Sequence, residues 1–71
     1  MDKPIKFSLH AEQRRKQRGF AERLIIEVVK RPDYFKRLAD GRKIAVRTMS
    51  SRTITVVYLE EESIIRIITV F

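Results

Sequence analysis

His10 is the only histidine in the chain, and Arg14, Gln17 and Arg18 follow it at i+4, i+7 and i+8. If residues 9–18 are helical, that spacing stacks the imidazole and both guanidiniums in one row. An imidazole exchanges protons near neutral pH, and a guanidinium grips a phosphate through paired N–H donors. Together they suit acid–base chemistry at a phosphate. One group takes the proton of an attacking hydroxyl, another protonates the leaving oxygen, and cations stabilise the charge between them. The row also costs stability, because like charges along a helix repel unless an anion lies across them. Two plainer readings stand beside it. The face is solvated, with aliphatic stems covering apolar surface, or His10 is a cap or surface residue.

Other chemistries find little support. Glu60, Glu61 and Glu62 are consecutive, so their side chains diverge, and no second ligand cluster accompanies them. No metal or cofactor is therefore expected. The two glycines, Gly19 and Gly41, are isolated and form no phosphate loop. A Ser-His-Asp site lacks any signal for the orienting acid.

The charge pattern strengthens the phosphate reading. Residues 1–52 hold fifteen basic and six acidic side chains, a net of +9. Residues 53–71 hold Arg66 against three glutamates, a net of −2. A basic half beside a nearly neutral one is the footprint of a polyanion binder. With 71 residues, one domain over 1–71 is expected. No cysteine is present to staple it. No apolar run approaches the roughly 20 residues of a membrane span. The opening Met1-Asp2-Lys3-Pro4 precedes no apolar signal region, so no membrane contact and a cytoplasmic location are expected.

The elements that must position the row follow from periodicity. Ser8 predicts an N-cap, a helix over 9–18, and Gly19 as its C′ residue. A second helix is predicted over 21–30, with Leu24, Ile25, Val28 and Val29 as one apolar stripe and Pro32 ending it. The period then becomes two. Strands are predicted over 34–39, 43–48, 53–59 and 63–71, with turns at Asp40-Gly41, Ser50-Ser51 and Glu60–Glu62. The last two strands are apolar on both faces and should be central. The expected fold is α+β: two N-terminal helices packed on a four-stranded antiparallel β-meander. On that sheet Lys43, Ala45 and Arg47 share a face, and Arg52 opens the third strand. Tyr58 is core, a stacking platform or a proton donor. Arg66 points to solvent, to Glu60–Glu62, or into the site.

The run Ser8-Leu9-His10-Ala11, with Arg14 and Arg18-Gly19-Phe20, resembles the opening of a family of short bacterial and archaeal domains without known function. Gly41-Arg42-Lys43, residues 53–58 and residues 64–69 resemble the end of BrnT-type toxins. Both groups are placed with RelE-like toxins in the barnase–EndoU–colicin–RelE ribonuclease fold. The chain departs from BrnT-type relatives in two respects. Those continue beyond the last strand, and a basic residue often follows their final strand motif where Val70 and Phe71 stand here.

The resemblance implies a RelE/BrnT-like fold and a ribonuclease toxin of a type II toxin–antitoxin system, held by a cognate antitoxin. With the residue pattern it gives a metal-independent ribonuclease acting on RNA by general acid–base catalysis. His10, Arg14, Arg18 and Arg47 are its candidate catalytic residues. Arg15, Lys43, Arg52 and Arg66 are candidate RNA contacts. The alternatives are a non-catalytic basic nucleic-acid-binding module and a protein-interaction domain. A small sheet with open edges also allows a homo-oligomer.

Overall fold

A computed structural model describes residues 3–71. Met1 and Asp2, the start of the expected leaderless N-terminus, lie outside the described residues. The elements are β1 (Ile5–Phe7), α1 (Leu9–Arg18), α2 (Glu22–Lys30), β2 (Tyr34–Arg37), β3 (Lys43–Met49), β4 (Arg52–Glu60) and β5 (Ile65–Val70).

The α+β class holds, but the sheet has five strands in the order β1-β5-β4-β3-β2 and is mixed. The four-stranded antiparallel meander is therefore incomplete. Its four strands are present as β2 to β5, and β1 joins β5 in parallel, with Ile5 opposite Ile65 and Phe7 opposite Ile67. Three residues give too short a window for a period-two signal, so the extra strand was not legible. The consequence is that β5 and β4 are both interior, as their two-sided apolar character requires.

The predicted strand over 34–39 closes at Arg37. Leu38 N–H donates to Arg42 O at 2.7 Å, and the chain turns through Gly41 at φ 95°. The glutamate turn is also displaced: Glu60 is the last residue of β4, opposite Ile65. Between β3 and β4, Ser50 and Ser51 both take left-handed φ, 50° and 62°. That is the two-residue geometry whose twist suits a hairpin. Ala21 serves as the N-cap of α2 rather than its first residue.

Both helices lie on one face of the sheet. Ile25, Val28 and Val29 of α2 and Ala11 of α1 pack with Ile54, Val56 and Tyr58 of β4, Ala45 of β3, and Ile67 and Val70 of β5. A β-bulge makes this β5 pairing possible. Val57 pairs with Thr69 but Tyr58 pairs with Ile67, leaving Ile68 as the extra residue. The bulge shifts the alternation, so Ile67 and Val70 both face the core although they are three residues apart.

Ile67 and Ile54 are 0% and 1% exposed at the centre of this layer. Ile67→Val should cost about 0.5–1.5 kcal/mol and Ile67→Ala about 2–5 kcal/mol. A domain of this size holds roughly 4–10 kcal/mol in total. Urea unfolding should therefore show a lowered midpoint for the first and a marginal fold for the second. Two midpoints equal to wild type would contradict this core.

Candidate nucleic-acid interface

The first helix forms as the sequence predicts, and it is fixed by its ends. Ser8 Oγ accepts the Ala11 N–H at 3.0 Å and donates to Ile68 O at 3.0 Å. Ser8 N–H donates to Ile67 O at 3.0 Å. The carbonyl released by the bulge thus receives the N-cap hydroxyl, which fixes where α1 starts. At the other end Gly19 sits at φ 72°, and the Phe20 N–H returns to Arg15 O at 3.0 Å. Ala11 is the only buried residue of the helix.

With Ala11 turned inwards, His10, Gln17 and Arg18 are exposed and Arg14 is half-buried on the adjoining flank. From His10 to Arg18 the row rises about 12 Å, a little over two turns. No described residue forms an ion pair or hydrogen bond with the side chains of His10, Arg14 or Arg18. Arg52 does join them. Its Nη2 donates to Arg18 O at 3.2 Å, and its guanidinium lies 4.6 Å from the centroid of the Phe20 ring. It therefore satisfies the negative end of the α1 dipole and holds a cation beside the row.

The other candidates lie elsewhere. Arg15 spans the α1–α2 junction. It bonds Glu12 Oε1 at 2.8 Å and Phe20 O at 2.9 Å, and approaches Glu22 at 4.0 Å. That bond to Arg15 also holds the Glu12 carboxyl below its usual range. Arg47, expected at the reacting centre, donates through Nη1 to Arg31 O and so closes the C-terminal end of α2. Lys43 shares its face with Arg47, as alternation required, but its Nζ is bound to Glu60 Oε1 at 2.7 Å. It stands opposite Tyr58, whereas Arg52 stands six residues earlier on β4, about 20 Å away. Arg66 takes the second of its three options. It is on the open face and is held by both carboxylate oxygens of Glu61 at 3.1 and 3.3 Å. The structure thus gathers His10, Arg14, Arg18 and Arg52, and disperses Arg15, Arg47, Lys43 and Arg66.

A recess of about 320 Å³ lies near the Lys43 end, lined by Lys3, Ile5, Val29, Lys30, Tyr58, Glu60 and Ile65. None of the eight candidates lines it. Glu60 sits between Lys43 and Lys3, whose Nζ is 3.1 Å from Glu60 Oε2. Hydrogen bonds from Lys43 and then Lys3 hold its carboxyl at about 2 instead of 4.5. Sequence reasoning placed Glu60 in a turn and missed this arrangement. The available signal was the alternation Ile54, Val56, Tyr58, Glu60, which carries the glutamate onto the helix-covered face. Tyr58 itself is core, 6% exposed, and burial raises its phenol.

A small α+β domain with a half-covered mixed sheet and a cationic first helix is the class this chain defines. It belongs to the family described as a domain of unknown function (DUF4258), whose model matches residues 7–71. No curated protein and no solved structure matches it. Among the described residues no helix is long and apolar enough to cross a membrane. No group of three or more His, Cys, Asp or Glu side chains there is placed to hold a metal ion.

Because the folded-state value of Glu60 is depressed, its pairing adds stability that is present above about pH 4.5 and lost as pH falls through about 2. Wild type should therefore lose unfolding midpoint faster than Glu60→Gln across that interval. Parallel profiles for the two proteins would show that the lysine pairing does not couple to folding.

Proposed function

We propose that this domain is a metal-independent ribonuclease of the toxin type, with the His10 side of α1 as its RNA-facing surface. One contrast carries the reading. His10, Arg14 and Arg18 have no acidic partner, while every described carboxylate except Glu62 is engaged. Glu12 and Glu22 meet Arg15, and Glu27 meets Arg31. Asp33 accepts the Thr48 N–H. Asp40 meets Arg42, Glu60 meets Lys3 and Lys43, and Glu61 meets Arg66. Cations left unneutralised on one helix are what a chain of phosphates would neutralise.

In this reading Arg14 and Arg18 clamp backbone phosphates, and Arg52 adds charge at the end of the row. His10 takes the proton of the 2′-hydroxyl, whose oxygen attacks the adjacent phosphorus. Loss of the 5′-oxygen, which regains a proton, leaves a cyclic phosphate. Arg47 has no part, being engaged at the end of α2. An antitoxin would cover the same basic face or add a strand beside β1 or β2. Those edges also admit a second copy of the chain. The expected location is the cytoplasm.

A second reading, a non-catalytic RNA-binding module, is favoured by one observation: no described residue bonds the His10 ring to fix its orientation. Incubation with RNA in excess EDTA separates the two. The nuclease reading expects cleavage by wild type and a loss of about 10²–10⁴-fold in His10→Ala with binding retained. It also expects Arg14→Ala to weaken binding and to lower the salt slope by about one unit. Cleavage unchanged in both variants rejects the site. Binding without cleavage in wild type establishes the module instead.

A further inference from the structure

We infer that the uncovered face of the sheet is a docking surface for an acidic amphipathic helix of another protein, laid along β3 and β4 between Tyr34 and Phe71. This inference does not rest on the RNA reading, since α1 and its cationic row lie on the opposite side of the sheet.

Strand register arranges this face in rows. Directly opposed residues share a face, so Tyr34 of β2, Val46 of β3 and Thr55 of β4 form one row. Phe71 closes it, because Phe71 and Thr55 exchange both backbone hydrogen bonds, at 2.8 and 3.3 Å. Lys36, Ile44, Val57 and Thr69 form the next row. Leu59, Arg66 and Lys6 form a third. The floor is apolar: Ile44, Val46 and Leu59 are partly exposed, and Val57 between them is 8% exposed although no helix covers it. Tyr34 and Phe71, 57% and 47% exposed, stand at the two ends of one row. Their backbones are three strand spacings apart, about 14 Å. An α-helix with its side chains is about 10–12 Å across, so one helix fits between the two rings, whereas a sheet of several strands is wider. The seven residues of β3 run about 23 Å, the length of about fifteen helical residues.

Charge selects the kind of helix. The strand positions of this face carry Lys6, Lys36 and Arg66 and no Asp or Glu. Arg66 is held by Glu61. Lys6 on β1 and Lys36 on β2 pair with no described carboxylate, so both flanks of the apolar floor are positive. A helix with one apolar stripe and acidic residues on either side complements both features. A second copy of this chain offers no such helix, because α1 is cationic and buries one alanine, and the apolar stripe of α2 is buried in its own core. RNA bases stack on aromatic rings, whereas the floor here is aliphatic and the rings stand apart at its edges.

The probe is a fluorescein-labelled peptide of about fifteen residues, with leucine on one helical stripe, glutamate on both flanks and alanine elsewhere. It should bind saturably and shift the ¹⁵N amides of Ile44, Val46, Val57 and Leu59. A scrambled peptide without the stripe, and one with lysine in place of glutamate, should each bind at least about tenfold more weakly. Tyr34→Ala and Phe71→Ala should each weaken binding by about tenfold, as loss of an aromatic anchor does. Both side chains are exposed, and thermal unfolding checks that the variants are folded. Lys36→Glu should weaken the glutamate peptide and strengthen the lysine peptide. Arg23→Ala, on α2, should leave binding unchanged within about twofold. No saturable binding, equal binding of the scrambled peptide, shifts confined to α1, or wild-type affinity in both aromatic variants would overturn the inference. Self-association that shifts the same amides would also overturn it, making the face an interface between copies of the chain. So would displacement of the peptide from those amides by a single-stranded RNA, which would make the face an RNA surface.

Discussion

A helix that buries one alanine cannot be held by its own apolar face, and α1 is such a helix. Its position depends on what grips its two ends. Ser8 ties the first turn to the bulged carbonyl of β5. Arg15, Arg52 and the buried Phe20 tie the last turn to α2 and β4. The arrangement leaves the flank of the helix free of packing duty. That freedom is why a row of cations can stand there with so little loss of core.

Electrostatics divide the molecule along the same lines. Glu12, Glu27 and Asp40 are spent locally, at i+3 or i+4 on the helices and in the hairpin loop. Glu60, the last residue of β4, binds Lys43 at the start of β3, and Glu61 just beyond it binds Arg66 of β5. A salt bridge exposed on the surface contributes little to stability. The pairing is better understood as sorting, because it removes some cations, Arg15 among them, from the outward field and leaves Arg14 and Arg18 uncancelled.

Much of this was legible in the sequence because it is written in short, regular signals. Ser8, Gly19 and the intervening spacing gave α1 to the residue, and the β-branched runs gave β4 and β5. Asp40-Gly41 gave a hairpin, although its loop takes two residues from the expected strand. What escaped notice depended on pairing across the chain. The three residues of β1 become a strand only because Ile65 and Ile67 offer an edge. The bulge at Ile68 cannot be read from residues 63–71, whose simple alternation would set Thr69 rather than Val70 beside Ile67 on the core face. The site divided likewise. His10, Arg14 and Arg18 stay in one row because one helix carries all three. Arg47, Lys43 and Arg66 went elsewhere because their partners, Arg31 O, Glu60 and Glu61, are set by tertiary contacts.

The parallel pairing of Ile5 with Ile65 joins segments sixty residues apart in sequence. Closing so long a loop is entropically expensive, and contacts of this separation slow the search for the native state. The hairpins β2–β3 and β3–β4 have much shorter loops to close and are the natural nucleus. Ser8 follows β1 directly and grips β5, so the cationic helix docks only when that distant clasp has shut. Local opening would release it in the reverse order, with the first helix and its charges peeling away while the hairpins stay zipped.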